Sequence, residues 1–404
     1  MFNTTRRRLA DSLLAALLIA ASASPVRADV ITDWNAKANE IIIEARIATP
    51  PAVRLMAMVQ TAVQDAVAET ARRSGDSAPS TEAAVAAANR TVLLRGLPGQ
   101  QPAILSAYQA ALAAVPDDGA RNAGIAIGER AAAAVLAARA DDGAAASESY
   151  RPYTTAGMYV PTALPAVPQW AARKPWLIDS AARFRPGPPP ATTSELWARD
   201  FNEVKALGAR NSKLRDAEQT EVARFWEFSL PAIYHGLVRS VADAPGRDLA
   251  ANARLFAVVS QAMDDALISV MDAKYHYNFW RPVTAVRNAD IDGHDGTERD
   301  PAWSPLIDTP PHPEYPCAHC ILAATVGTTL KVAIGSRPDA VLATSSPTAK
   351  GATRRWNSAE AMMREVAEAR IYDGVHYRNS TQVGLDMGRR IGELAAARLV
   401  PAAN

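Results

Sequence analysis

Apolar residues recur at helical spacing along most of this chain. After Pro50-Pro51 they return every three or four positions, at Val53, Met56, Ala57, Val59, Val63 and Val67. This period, together with abundant alanine and few β-branched runs, favours α-helix over strand. Residues 29–143 are therefore predicted to form an alanine-rich helical array. Its later helices are predicted over 81–95, 102–115 and 117–140.

The composition changes between residues 144 and 196. Nine prolines stand there among Tyr, Trp and Phe, and Phe184-Arg185-Pro186 lies near the end. Proline removes a helical hydrogen bond and clashes with the preceding turn, so long helices are excluded. The aromatic content argues against a flexible linker. We expect an ordered strap that lies over the helices.

Helical spacing returns in residues 197–404. A helix capped by Thr192 or Thr193 is predicted to end at Gly208, and residues 288–311 are predicted to be a polar loop. The other helices are predicted over 217–226, 248–274, from Pro316 through 334, and 383–399. The fold class is thus all-α. The predicted architecture is an N-terminal helical array, a Pro-rich strap and a C-terminal catalytic bundle of four or five helices.

The first 28 residues have the pattern of a secretory leader. Arg6-Arg7-Arg8 precedes an apolar core over 13–21, and Val26-Arg27-Ala28 is a small-residue cleavage site. The core is too short to span a bilayer, and no later stretch is long and apolar enough to do so. We expect a periplasmic or secreted mature chain that begins at Asp29.

Charge and cysteine content exclude some classes of protein. The formal net charge is +1 at pH 7, which does not favour nucleic acid or an anionic membrane surface as a partner. The chain has two cysteines, too few for a disulfide framework.

The candidate chemistry centres on the stretch Pro311-His312-Pro313-Glu314-Tyr315-Pro316-Cys317-Ala318-His319-Cys320. Pro316 suits the first position of a helix, which would place Cys317, Ala318 and His319 in the first turn. Backbone N–H groups at a helix start lack internal partners and carry partial positive charge. The stretch therefore predicts an anion site.

Two further segments carry cationic side chains and a histidine that could bind the same anion. Lys274 and Arg281 are seven residues apart, close to two helical turns, so they can share one face. Arg370 and His376 are six residues apart and would face different ways on a straight helix. The turn residues Asp373-Gly374 are needed to bring them together.

The three segments together suit a tetrahedral oxyanion. Guanidinium groups bind oxygens in bidentate fashion, and a lysine adds a point charge. One imidazole can bond to the central atom while the other moves a proton at an apical oxygen.

In order and spacing the segments resemble the family of vanadium-dependent haloperoxidases and type 2 phosphatidic acid phosphatases, whose pattern is K-x6-RP, then PSGH, then SR-x5-H. The likeness extends to Trp34-Asn35, to Arg54 and to Phe184-Arg185-Pro186, and it is greatest to soluble bacterial haloperoxidase-type members. It implies an all-helical fold with the site in a bundle core.

The resemblance also implies a role for each residue. Lys274, Arg281 and Arg370 would clamp the oxyanion beside positions Cys317 and Ala318, and His319 would be the acid–base group. In a haloperoxidase, His376 would be the axial ligand of a vanadate cofactor. In a phosphatase, which needs no cofactor, His376 would be the nucleophile that becomes phosphorylated.

The chain departs from the family pattern at four positions. Cys317 and Ala318 replace the Ser and Gly of the second motif, and Ala369 replaces the Ser before Arg370. Ser380 stands where many members have an acid four residues after the last histidine, an acid that would orient His376. Asp373, Asp386 or a backbone carbonyl are the candidates to substitute for it.

Cys317 bears most directly on activity. At a helix start beside cations its thiol pKa would fall, and peroxide would oxidise it to sulfenic acid or to a disulfide with Cys320. Thiols also reduce vanadate. The alternative is that Cys317 and Cys320 are small buried residues without a role.

Three functions remain open from sequence. The first is a haloperoxidase that uses hydrogen peroxide and halide, and the second is an acid phosphatase that uses a phosphate ester. The third is a non-catalytic oxyanion-binding or thiol-switch protein, suggested by the Cys317-x2-Cys320 spacing and by Ser380. A zinc site is the weakest hypothesis, because Cys317, His319 and Cys320 are too close in one helical turn to chelate one ion.

Overall fold

A computed structural model describes residues 29–73, 75, 78–335, 337 and 340–400. Within these residues the chain forms thirteen α-helices and one β-hairpin, so the all-α prediction is confirmed. The first seven helices are α1 Val30–Ala45, α2 Thr49–Ala71, α3 Thr81–Gly96, α4 Gln101–Ala113, α5 Gly119–Ala138, α6 Glu195–Leu207 and α7 Ala217–Trp226. The other six are α8 Pro231–Ala242, α9 Leu249–Tyr277, α10 Pro282–Arg287, α11 Ala318–Ile334, α12 Ala359–Tyr372 and α13 Arg378–Leu399.

Helix α9 runs through the centre of the molecule. It has 29 residues, and its N-terminus is capped by the Asp248 side chain, which accepts from the Ala251 N–H. Nearly every residue from Ala253 to Lys274 is buried, so this helix is buried on all sides rather than along one stripe. It packs against α2 of the N-terminal array and against α11 and α13 of the C-terminal bundle.

The segment 144–196 is the ordered strap that its composition predicts. Its helical parts in the structure are the short 3₁₀ helices Pro168–Ala172 and Ala181–Phe184, and both pack on α9. The Arg185 guanidinium makes two hydrogen bonds, of 2.7 and 2.8 Å, to the Asp272 carboxylate on α9.

Two adjacent acidic residues in the middle of α9 hold the strap. Asp264 accepts from Arg173 and from the Trp176 indole, at 2.5 and 2.8 Å. Asp265 accepts from the backbone N–H groups of Trp176, Leu177 and Ile178, at 2.7, 2.6 and 3.0 Å. Proline-rich backbone cannot satisfy its own N–H groups in a helix, and these buried carboxylates satisfy them instead.

The predicted helix boundaries needed several corrections. The helix after Pro316 does not begin at that proline: it begins at Ala318, and Cys317 is its N-cap residue. Ser194, not Thr192 or Thr193, caps α6. The last helix begins at Arg378 rather than at 383, because the chain turns into it directly after His376.

The C-terminal bundle holds more elements than the four or five helices predicted. Helices α8, α10 and α12 were not predicted, and neither was the antiparallel hairpin of strands β1 Leu342–Ser346 and β2 Ala352–Trp356. The polar stretch 288–311 is a loop apart from one short 3₁₀ turn, as predicted. The boundaries at residues 143 and 196 remain predictions.

The leader over residues 1–28 lies outside the described residues. Among the helices that the structure does describe, none is both long enough and apolar enough to cross a membrane. Periplasmic or secreted localisation remains a prediction.

A buried histidine on α8 joins α1 to α9. His235 on α8 accepts at Nδ1 from the side-chain amides of Asn35 and Asn39 on α1, both at 3.1 Å, and its Nε2 lies 3.1 Å from the Ser260 hydroxyl on α9. Burial, together with the nearby charge of Arg239, lowers the pKa of His235 to about 3. The ring is therefore neutral in the folded protein.

We predict that Asp265→Asn lowers the free energy of unfolding by about 1–3 kcal/mol, because an amide replaces one accepting oxygen by a donor that faces backbone N–H groups. Urea unfolding at neutral pH measures the change. Asp179→Asn, at an exposed strap residue paired with Arg183, is the control and should change stability by less than about 0.5 kcal/mol. Equal effects of the two substitutions would show that Asp265 does not anchor the strap.

We predict that His235 makes the protein lose stability as the pH falls from about 6.5 towards 3. In that window the unfolded histidine binds a proton and the folded one does not, so stability rises with pH by up to about 1.4 kcal/mol per pH unit. The variant His235→Gln should flatten this slope, and urea unfolding at several pH values measures it. His276→Gln, at an exposed histidine, should keep the wild-type slope. Parallel slopes for wild type and His235→Gln would contradict the assignment.

Candidate oxyanion site

Five helix ends converge at the site. Lys274 lies in the last turn of α9, Arg281 is the N-cap residue of α10, and His319 is in the first turn of α11. Arg370 lies in the last turn of α12, and His376 is in the short connection to α13. The structure thus brings all three sequence segments to one place.

Lys274 is fully buried, and its ammonium group donates to the backbone carbonyls of Pro313 and Glu314, at 2.9 and 2.7 Å. Burial lowers the pKa of Lys274 well below its ordinary value, and the neighbouring charge of Arg281 acts in the same direction. An ammonium group has three N–H donors, so one remains for an anion.

Arg281 is held along its whole guanidinium. Its Nε donates to the His312 carbonyl at 2.9 Å, and one terminal nitrogen donates to the Val375 carbonyl at 2.8 Å. That same nitrogen lies 3.2 Å from His376 Nε2, and the other lies 2.9 Å from His312 Nδ1. Since arginine only donates, both imidazole nitrogens must carry lone pairs.

His376 is oriented from its other side by Glu314. Its Nδ1 donates to Glu314 Oε1 at 2.6 Å, and the same oxygen accepts from the Tyr377 backbone N–H at 3.2 Å. Both side chains are buried. The tautomer follows from the two ends of the ring: the proton is on Nδ1, and the Nε2 lone pair faces the cations. Burial raises the pKa of Glu314 to about 7, although Lys274 and Arg281 oppose the shift.

The predicted turn at Asp373-Gly374 brings Arg370 to the same site as His376. Its guanidinium donates to Asp373 at 2.6 Å and to the Trp226 carbonyl at 3.0 Å, and its Nε is buried without a partner. Gly374 makes the turn at φ +79°, and a Cβ there would come 2.3 Å from the Gly208 carbonyl oxygen. Only glycine fits this position.

The His319 ring has one nitrogen, Nε2, without a hydrogen-bond partner. The Phe228 backbone hydrogen-bonds the ring, whereas Nε2 is buried and has no partner. Burial lowers the pKa of His319 well below its ordinary value, and the charges of Arg370, Arg281 and Lys274 lower it further. A neutral ring with an unpaired nitrogen among cations can accept a proton when an anion approaches.

Cys317 and Cys320 form a disulfide across the first turn of α11. The Cys317 sulfur also accepts from the Cys320 backbone N–H at 3.1 Å, so it caps the helix. Of the options that the sequence leaves open, the structure has the disulfide, so Cys317 offers no S–H to an anion. Ala318 is the first residue of the helix, where a backbone N–H has no partner inside the helix.

These groups fit a tetrahedral oxyanion better than a cation. The Nε of Arg370 and the Nε2 of His319 are both buried without a partner, which is a costly state. An anion would accept from the Arg370 Nε–H, and from His319 once its ring is protonated. Among the described residues, no group of three or more His, Cys, Asp and Glu side chains could hold a metal ion directly. With both cysteines oxidised, the zinc hypothesis has lost its ligands.

Two residues of this site, Glu314 and His312, were not predicted from the sequence to contact the other site residues. Asp373 and Asp386 do not orient His376: Asp373 pairs with Arg370, and Asp386 pairs with Arg389. Glu314 takes that place, from a segment 62 residues earlier in the chain. His312 contacts Arg281 with its ring and its carbonyl. Both lie in the central stretch, but nothing in their spacing indicates these partners.

Comparison with known proteins points to one family. Residues 254–402 match the family model of the VCPO second helical-bundle domain. The chain is 31% identical to vanadium chloroperoxidase of Curvularia inaequalis, over 29% of this chain and 23% of that protein. The matched region thus spans less than a quarter of the relative's length.

Two solved structures share the fold over most of the chain. A bacterial vanadium-dependent iodoperoxidase superposes with a TM-score of 0.77 at 24% identity, covering 92% of this chain and 95% of that one. The holo form of a bacterial vanadium-dependent chloroperoxidase superposes with a TM-score of 0.70 at 19% identity, covering 87% and 93%.

We predict that the purified protein, unfolded without reductant, has no thiol that reacts with an alkylating reagent, and that two become reactive after reduction. Mass spectrometry counts the labels. The Cys320→Ser variant should show one reactive thiol without reduction. Two labels on the unreduced protein would mean that the disulfide is absent.

Proposed function

We propose that this chain, whose residues 254–402 match the family model of the VCPO second helical-bundle domain, is a vanadium-dependent haloperoxidase. The observation that carries the proposal is the state of His376. Its Nδ1–H donates a hydrogen bond to Glu314, so its Nε2 carries a lone pair that faces the cations and could bind vanadium.

Vanadate is the implied cofactor, and the residues present fit it. His376 Nε2 would be the ligand atom, and Lys274, Arg281 and Arg370 would hold the oxygens. Bound vanadate would supply a Lewis-acidic centre that binds hydrogen peroxide and polarises its O–O bond. The net reaction takes peroxide, halide and one proton to hypohalous acid and water, with the halide losing two electrons.

The protein's own groups prepare this chemistry. Lys274 and Arg281 are held by backbone carbonyls, so their charges are fixed before an anion arrives. Such preorganised charges need no rearrangement during reaction. His319 Nε2 would accept the proton that peroxide loses and return it to the departing oxygen.

The disulfide removes an objection to this function. A free thiol beside the oxyanion would be consumed by peroxide and would reduce vanadate. With Cys317 joined to Cys320, no thiol adjoins His319. The same bond leaves the thiol-switch hypothesis without a resting thiolate.

The phosphatase hypothesis uses the same groups. His376 Nε2 would attack phosphorus, and His319 would protonate the leaving oxygen. Vanadate and the phosphoryl transition state share geometry, so the charges suit both. The fold shared with two vanadium-dependent peroxidases, across most of the chain, supports the peroxidase over the phosphatase.

We predict vanadate-dependent oxidation of bromide by peroxide that falls at least about 100-fold in His376→Ala, since even groups that only orient a ligand cost 10- to 100-fold. Halogenation of a reporter dye measures the rate, and calorimetry measures vanadate binding. His276→Ala, at an exposed histidine, is the matched control and should keep both.

Three other outcomes would separate the alternatives. Hydrolysis of a phosphate monoester that depends on His376, without bromination, would favour the phosphatase. Vanadate binding without either turnover would favour the non-catalytic oxyanion-binding protein. Bromination that persists in His376→Ala would contradict the ligand assignment.

A further inference from the structure

The tripeptide His312-Pro313-Glu314 contacts three of the proposed anion-binding groups at once. The His312 carbonyl accepts from Arg281, and the carbonyls of Pro313 and Glu314 accept from Lys274. The Glu314 side chain then accepts from His376. We call this tripeptide the clasp. One short segment therefore sets where two cations and the ligand histidine stand relative to one another.

Ser380 completes the arrangement. It lies one turn after His376 on α13, and its hydroxyl is 3.4 Å from the same Nδ1 that Glu314 contacts at 2.6 Å. The Ser380 hydroxyl also hydrogen-bonds the Glu314 side chain. Serine is too short to displace Glu314 from Nδ1, and it supports the carboxyl group instead.

A second acid at position 380 would conflict with this geometry. Two carboxylates would then meet at one buried N–H, and like charges at that distance cannot both ionise without cost. An acid at position 314 therefore favours a small polar residue, and disfavours a second acid, at position 380. The two side chains form one unit, in which the acid comes from the clasp and not from the helix that follows His376.

We propose that Glu314 is the positioning residue for His376. Its side chain, in the clasp, accepts the Nδ1–H hydrogen bond that an acid at position 380 on α13 would otherwise accept. This rests on the proposed function, in which His376 is the ligand of vanadate. Glu314 does not touch the anion. It acts by fixing the ring angle and keeping the proton on Nδ1, so that Nε2 stays available.

An exchange of the acid between the two positions tests the proposal. The variants are Glu314→Ala, Glu314→Gln, Ser380→Asp, Ser380→Ala and the double variant Glu314→Ala/Ser380→Asp. Each alanine keeps the backbone carbonyls of the clasp, so Lys274 and Arg281 retain their acceptors. Circular dichroism and thermal unfolding confirm that each variant is folded.

The first measurement is the affinity for vanadate by calorimetry. Glu314→Ala should weaken binding by about 10- to 100-fold, and the double variant should recover most of the loss. Glu314→Gln, which keeps an accepting oxygen, should lose less than Glu314→Ala. Ser380→Ala should cost little, whereas Ser380→Asp alone should weaken binding because it places two acids at one N–H.

The second measurement needs no vanadate. The His376 Nδ1 proton, assigned by its absence in His376→Ala, should resonate far downfield in the proton NMR spectrum, because it lies in a short hydrogen bond. It should move upfield in Glu314→Ala and return in the double variant. A residue with a merely structural role would not restore this signal from a different position.

The two measurements separate this proposal from the function on which it rests. If the wild type binds no vanadate, the proposed function fails, and the NMR signal alone decides whether Glu314 positions His376. Wild-type affinity in Glu314→Ala, or an Nδ1 signal that Glu314→Ala leaves in place, would overturn the proposal. A folded double variant that recovers neither affinity nor signal would overturn it as well.

Discussion

The burial of Lys274 and Arg281 against backbone carbonyls is the constraint on which the site depends. A buried cation is costly unless it is hydrogen-bonded, and these two are satisfied by peptide dipoles of residues 312–314 and Val375. Within the described part of the chain, neither forms an ion pair with a carboxylate. Backbone carbonyls thus stabilise the two positive charges without neutralising them. The charges therefore remain available to bind an anion.

The rest of the fold serves to hold that arrangement rigid. Helix α9 carries Lys274 at one end of a run that is buried on every side, so the position of the ammonium group is set by packing over several turns. The strap lies along the same helix, tied to Asp264 and Asp265, and one of its residues donates to the Pro311 carbonyl at the start of the central stretch. Stability of the strap and geometry of the site are therefore coupled through α9.

Much of this could be predicted from sequence, because the signals are local. The 3.6-residue period gives the helices, proline density gives the strap, and Asp373-Gly374 gives the turn that brings Arg370 and His376 together. The order and spacing of the charged segments were enough to assemble them at one site. The helix start at Ala318 was misplaced by two residues, because proline preference was taken as the signal and the capping sulfur of Cys317 was not.

The partner of His376 could not be predicted, for a physical reason. Helical periodicity indicates that a side chain one turn after His376 can reach its ring, and that position is Ser380, which is not an acid. Glu314 reaches the ring from a segment distant in sequence. Only the fold shows that the two approach the same nitrogen. The β-hairpin was also missed, since its two strands have only five residues each and the first packs against α8.

A crystal structure of the protein grown with vanadate tests the central claim most directly. The account predicts vanadium at bonding distance from His376 Nε2, with its oxygens on Lys274, Arg281 and Arg370 and with the carbonyls of residues 312–314 still accepting from the two cations. Vanadate bound elsewhere, or bound only after Lys274 and Arg281 leave those carbonyls, would contradict a preformed oxyanion site.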